Sequence, residues 1–342
     1  RVGRKTTLVA ALLTMGVSTV VIGLLPSYET AGVLAPLLLA LCRFGQGFGL
    51  GGEWGGAVLL ATENAPPGKR SWYGMFPQLG APVGLFLSSG VFWILLHFMS
   101  QEALLSWGWR IPFVASIILI AVGMWVRLSI TETPDFQKAI EKEERVAVPV
   151  AELFRNHKRS LVLGTFVALA TFVLFYIGTA YLLSYNVKVL KIPFLDALEV
   201  QILGSVVFGI FIPVAGKLAE KFGRREILII TTVLIGLFSF LLPSLMTGGE
   251  GSIFVFAALA MMLMGMTYGL IGTALAAPFP TRVRYTGSSI TFNMAGIFGA
   301  SLAPYIATWL QVNYGMGYVG YYLCVSALIT LACILLSRKD EV

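Results

Sequence analysis

Apolar runs long enough to cross a bilayer recur along this 342-residue chain, and they restrict its fold more than any other feature. About 20 mainly apolar residues span the hydrocarbon core as a helix. Lipid offers the backbone no hydrogen-bond partner, so each run must satisfy its own amides. Ten runs are read, near 8–25, 33–61, 73–98, 110–130, 161–187, 196–216, 226–246, 252–277, 287–311 and 318–337. With 57% hydrophobic and 12% charged residues, the chain lies far outside soluble composition. The predicted fold class is an all-α polytopic membrane bundle, which excludes soluble-enzyme and nucleic-acid-binding readings.

Charge placement orients the bundle. Segments 1–7, 62–72, 127–160, 217–225, 278–286 and 338–342 hold 20 of the 24 Lys and Arg. Positive residues accumulate in cytoplasmic loops, so both ends of this chain are predicted to face the cytoplasm from the inner (cell) membrane. The formal net charge of +7 therefore reflects topology and implies no polyanionic partner. Cys42, Cys324 and Cys333 fall in apolar spans at no ligand spacing, so no disulfide or metal is expected. No cofactor is expected either. A membrane-embedded enzyme would want clustered polar chemistry, yet the two histidines, His97 and His157, lie far apart.

One span breaks the apolar rule. Arg43-Phe44-Gly45-Gln46-Gly47-Phe48-Gly49-Leu50-Gly51-Gly52-Glu53-Trp54-Gly55-Gly56 places an Arg and a Glu inside a hydrophobic run. Each costs roughly 2.5–3.5 kcal/mol on insertion scales. At helical spacing Gln46 and Glu53 differ by about 20° and Arg43 lies about 60° from Gln46, so they form one polar stripe. Gly45, Gly49, Gly47, Gly51 and Gly55 let neighbouring helices approach closely. Such a stripe lines a solute pathway or, alternatively, forms an ion pair that ties helices together. Arg43 and Glu53 are about 15 Å apart along the axis, so each needs a partner on another helix, possible donors including helices that precede this chain.

Two echoes reveal internal duplication. Gly3-Arg4-Lys5 returns as Gly223-Arg224-Arg225, 220 residues later, and Arg70-Ser71-Trp72-Tyr73-Gly74 is echoed by Arg284-Tyr285-Thr286-Gly287. Parallel repeats of this kind suggest two half-bundles. The expected division is 1–130 (four spans), a charged linker over 131–160 with some amphipathic helix, and 161–342 (six spans). The second half places two spans, 161–187 and 196–216, before its Gly-Arg-Arg and the first half none before its Gly-Arg-Lys, so a twelve-helix parent is expected.

These motifs carry a resemblance. Gly216-Lys217-Leu218-Ala219-Glu220-Lys221-Phe222-Gly223-Arg224-Arg225 resembles the loop signature of the major facilitator superfamily, with Glu220 where Asp is usual. Arg43-Phe44-Gly45-Gln46-Gly47-Phe48-Gly49 is similar to the R-x-x-Q-G-x-G motif of its proton-coupled members. With Glu132-Thr133-Pro134-Asp135-Phe136 and Phe279-Pro280-Thr281-Arg282-Val283-Arg284-Tyr285-Thr286-Gly287, the chain resembles the metabolite:proton symporter family. The resemblance implies a secondary transporter for small organic acids or zwitterionic metabolites, coupled to protons. Ala277-Pro278 stands where that family usually has Glu-Leu, so that ion-pair partner is not carried over.

The remaining candidates follow from polar residues at apolar depth. Arg43 suits a solute carboxylate, because its planar fork binds carboxylates bidentately. Gln46, Gln78, Tyr176 and Asn293 are the other solute candidates. Gln78 could instead cap a carbonyl freed by Pro82, and Asn293 could instead bond another helix. Glu53 is the proton-coupling candidate. Gly3, Arg4, Lys5, Glu220, Gly223, Arg224, Arg225, Arg282 and Arg284 are gating candidates, with a Glu220–Arg contact expected to hold one conformation. Antiport and a non-transporting osmosensor or transceptor are the alternatives.

Overall fold

The computed structural model describes residues 4–129 and 149–338. Gly3 and the linker acids and bases between Glu132 and Arg145 lie outside the described residues. Arg4 and Lys5 form the first turn of the helix Arg4–Leu24.

Because lipid leaves helix as the self-satisfying backbone state, the apolar runs emerge as ten long helices among the described residues. They are α1 (Thr6–Leu24), α2 (Leu34–Glu63), α3 (Arg70–Phe98), α4 (Arg110–Ser129), α5 (Lys158–Lys188), α6 (Phe194–Phe222), α7 (Arg224–Thr247), α8 (Glu250–Ala276), α9 (Thr281–Tyr314) and α10 (Met316–Leu336). Several extend past the apolar cores read from sequence, because polar first and last turns belong to the headgroup layer. The end of the bundle that carries Glu63, Arg70, Arg127, Arg224 and Arg282 is called the basic end below.

Helix α1 packs along α2 and α4, while α6 packs along α8 and α7 along α8 and α10. α3 lies chiefly against α6. Small residues set these approaches: a Cβ on Gly269 of α8 would stand 2.9 Å from the Ile212 carbonyl of α6. Described contacts between α2 and α9 fall at Gly51, Trp54, Gly55 and Gly56, all in the basic-end half of α2. α2 meets α1 at Gly45, at Gly49 near its middle and again at Gly56.

Three helices lose regular α geometry at a few residues. α3 tightens to 3-10 turns at Pro77–Leu79, while α5 and α9 widen to π turns at Ile177–Tyr181 and Ile297–Ser301. Proline explains the first, since it lacks an N–H. In α5 the freed Thr179 carbonyl accepts the Gln201 Nε2 amide at 2.7 Å.

A short amphipathic helix, Pro149–Asn156, precedes α5. Its Leu153 is buried with Leu161, Phe279 and Val283, and Glu152 pairs with Arg282 at 2.8 Å. The expectation of amphipathic helix in this linker is met over that stretch.

Candidate functional site

The α2 stripe divides between two neighbours. Near the outer half, Arg43 Nη1 donates to Gln46 Oε1 at 3.2 Å, and Gln46 Nε2 donates to Thr19 Oγ1 of α1 at 2.7 Å. Arg43 itself is exposed. Thr19, which the sequence did not single out as a candidate, thus joins the stripe.

Deeper toward the basic end, Glu53 forms an ion pair with Arg127 at the end of α4. Arg127 Nη1 also donates to the Leu8 carbonyl of α1 at 2.7 Å, so one guanidinium links three helices. Both side chains are mostly buried, at 20% and 15% exposure, and Glu53 Oε2 has no hydrogen-bond partner. The sequence placed Arg127 only among the basic residues of segment 127–160. Its signal was an arginine just inside the end of an otherwise apolar run. The helix that pairs with Glu53 therefore lies within this chain.

Next to Glu53 stands an aromatic plug. The Trp54 ring stacks on Phe292 of α9, with centroids 3.7 Å apart and planes at 14°, and Phe172 of α5 meets Phe292 edge-on at 5.1 Å. Tyr176 and Tyr268 pack against the same cluster. The Trp54 indole Nε1 donates to Gln78 Oε1 at 3.1 Å. Gln78 is buried at 1% exposure, and its Nε2 has no partner. It caps no carbonyl freed by Pro82; the 3-10 turn at Pro77–Leu79 points it at α2 and α8, where Gly272 leaves room for the amide. Trp54 is nine residues from the basic end of α2, or about 13 Å, so the plug lies between that end and the bundle's middle.

Asn293 Nδ2 donates to the Ser289 carbonyl of its own helix at 2.7 Å, while its amide faces Gly51 of α2. Tyr176, Gln78 and Asn293 thus gather around the plug, each beside or near a helix irregularity, a feature frequent at functional sites. Arg43 and Gln46 form a separate group about two to three turns away from Trp54 along α2.

The gating candidates separate as well. Gly223 takes φ +97 to start α7, a conformation glycine adopts without strain. Arg225 Nη2 donates to the Leu335 and Ile334 carbonyls at 3.0 and 3.2 Å, and Arg159 Nη2 donates to the Leu336 carbonyl at 2.6 Å. Both cap the C-terminus of α10, where the helix dipole favours cations. Glu220 is exposed and makes no ion pair among the described residues, so the expected Glu220–Arg contact is not formed here. Arg284 Nε donates to the Phe279 carbonyl at 2.9 Å, and Arg282 holds Glu152 of the linker helix. Arg225→Ala is expected to fray the last turn of α10, lowering stability by roughly 1.5–3 kcal/mol, the value of hydrogen bonds from a charged donor. Thermal unfolding of the purified protein reads this directly.

Ten long apolar helices among the described residues define a multi-pass helical membrane bundle. The family model of the Major Facilitator Superfamily matches residues 1–290 and 200–342, and the chain belongs to that superfamily. It is 52% identical over its full length to the inner membrane metabolite transport protein YhjE of Escherichia coli (strain K12), covering 79% of that protein. It is 33% identical to the shikimate transporter of the same organism, again over all of this chain and 79% of the relative. Among solved structures it matches the proton:xylose symporter XylE bound to 6-bromo-6-deoxy-D-glucose, with a TM-score of 0.77. That match covers 100% of this chain and 81% of the other at 17% identity, a likeness of fold.

Proposed function

We propose that this chain belongs to a proton-coupled symporter that moves a small carboxylate-bearing or zwitterionic metabolite across the inner membrane by alternating access. The observation that carries the reading is the plug: Trp54, Phe292 and Gln78 join helices from both parts of the chain between the basic end and the bundle's middle. A transporter needs such a closure, formed and broken once per cycle, on each side of its central site. The name of the shikimate relative supports a carboxylate solute.

In this reading residues 1–130 and 161–342 rock as two halves about the linker 131–160, and the basic end faces the cytoplasm. Arg43 holds the solute's negative end together with Gln46, and Gln78, Tyr176 and Asn293 form a second polar group further along the solute path. Glu53 carries or relays the coupling proton, and its pair with Arg127 must open before the carboxylate accepts one. Gly3, Arg4, Lys5, Glu220, Gly223, Arg224, Arg225, Arg282 and Arg284 shape the cytoplasmic gate. The unpartnered Gln78 Nε2 supports a polar ligand or water at the plug, because buried amides are seldom left unmatched.

Uptake into vesicles under imposed pH and voltage gradients tests the coupling. Solute accumulation that follows the inward proton gradient is expected; accumulation driven by an outward one would make it an antiporter. Orientation is checked separately by impermeant thiol labelling of single cysteines in 62–72 and 244–252. The two segments are expected on opposite faces of the membrane, and labelling from the same face would overturn the topology.

A further inference from the structure

At the basic end, a cavity of about 220 Å³ opens where the ends of α2 and α8 meet the starts of α3, α7 and α9. Among the described residues its wall carries three guanidinium groups, Arg70, Arg224 and Arg284, and one carboxylate, Glu63, a formal charge of +2 for that set. Position 277, also in the wall, is an alanine and contributes no compensating acid. Arg224 is the decisive residue, because its Nε is buried without a hydrogen-bond partner. A buried charge is normally paired or bound to an ion, since leaving it unmatched is expensive. The volume equals about seven waters at about 30 Å³ each, enough for a tetrahedral oxyanion with part of its hydration.

We propose that this cavity is an oxyanion site that takes a phosphate group through Arg70, Arg224 and Arg284. Planar guanidinium forks match the paired oxygens of phosphate, which suits three arginines from different helices better than it suits a halide. Arg70 stands on α3 and the other two on α7 and α9, so a bound oxyanion ties α3 to the helices across the basic end. An anion that binds only while these helices are together shifts the population toward the closed arrangement. The site stands independently of the transport reading, since it concerns binding alone. The phosphate group comes from solution or from the headgroup of an anionic lipid.

The test uses the full chain in phosphatidylcholine nanodiscs, titrated with inorganic phosphate at constant ionic strength while thermal unfolding is followed. The unfolding midpoint is expected to rise and saturate. Arg70 is exposed, so Arg70→Gln leaves the fold intact; it is expected to raise the half-saturating concentration about tenfold, or about 1.4 kcal/mol. Ala277→Glu supplies the missing carboxylate, so its midpoint is expected to be raised without phosphate and to ignore added phosphate. A parallel arm replaces part of the phosphatidylcholine by phosphatidylglycerol without free phosphate. A rise in that arm alone, lost in Ala277→Glu, assigns the phosphate group to lipid; a rise with free phosphate assigns it to solution. Equal responses in all three proteins, or no response in either arm, overturn the site.

Discussion

Replacing Glu53 with Gln is expected to abolish uphill uptake driven by a pH gradient while leaving exchange at equal solute concentrations in place. A gradient of about 1.7 pH units supplies about 2.3 kcal/mol per proton, enough for accumulation of about 50-fold, and the variant should fall to no accumulation. The ion pair with Arg127 supplies the competing outcome. Removing one side of a largely buried pair costs roughly 3–5 kcal/mol, so a purely structural Glu53 would lose expression, exchange and accumulation together. The double variant Glu53→Gln with Arg127→Gln separates the two. Neutralising both partners restores stability, and under the proposed role it still fails to concentrate solute. If the double variant regains accumulation, Glu53 only holds α2 to α4. If Glu53→Gln alone concentrates solute as the native chain does, the coupling proton travels elsewhere.

That test depends on a partner the sequence did not reveal, and the reason is physical. Lipid forces helix on any long apolar run, so the ten spans and the all-helical class follow from hydropathy alone. Side-chain partners across helices obey no such rule. Arg127 looked like one more basic residue at a span end, although Glu53 demanded a cation from another helix. Trp54 stood inside a motif without a visible task, and only the tertiary arrangement brings its indole to Gln78 and its ring to Phe292. The glycine spacing in α2 did announce close approach. It could not say that Gly45 and Gly49 face α1 while Gly55 faces α9, because both helices offer small residues. The π turns beside Tyr176 and Asn293 left no sequence mark beyond Gly178 and Gly299. Arg224 and Arg225 are adjacent and alike in sequence, yet one lines a cavity and the other caps α10.

Gly55 offers the sharpest handle on the closure itself. A Cβ placed there would run into Ser289 Oγ of α9 and stand 3.3 Å from the Tyr285 carbonyl. Gly55→Leu is therefore expected to hold α2 and α9 apart and to disfavour the closed basic end by roughly 1–3 kcal/mol, the usual cost of overpacking. That shift lowers the closed population about 5–150-fold. Turnover should fall by a similar factor, because alternating access needs the closed state once per cycle, while solute binding from the other side persists. Thr62 is buried at 8% exposure near the same closure. With Cys42, Cys324 and Cys333 replaced by Ser, Thr62→Cys should become reactive to an impermeant thiol reagent from the basic side once Gly55→Leu is added. Gly55→Ala should give a smaller change in the same direction, since only one methyl must be accommodated. Gly84→Leu is the control, because a Cβ there has nothing within 4 Å. Should Gly55→Leu turn over at the native rate with Thr62→Cys still shielded, the contact between α2 and α9 is a static packing seam and the gate must be sought where α3 meets α6.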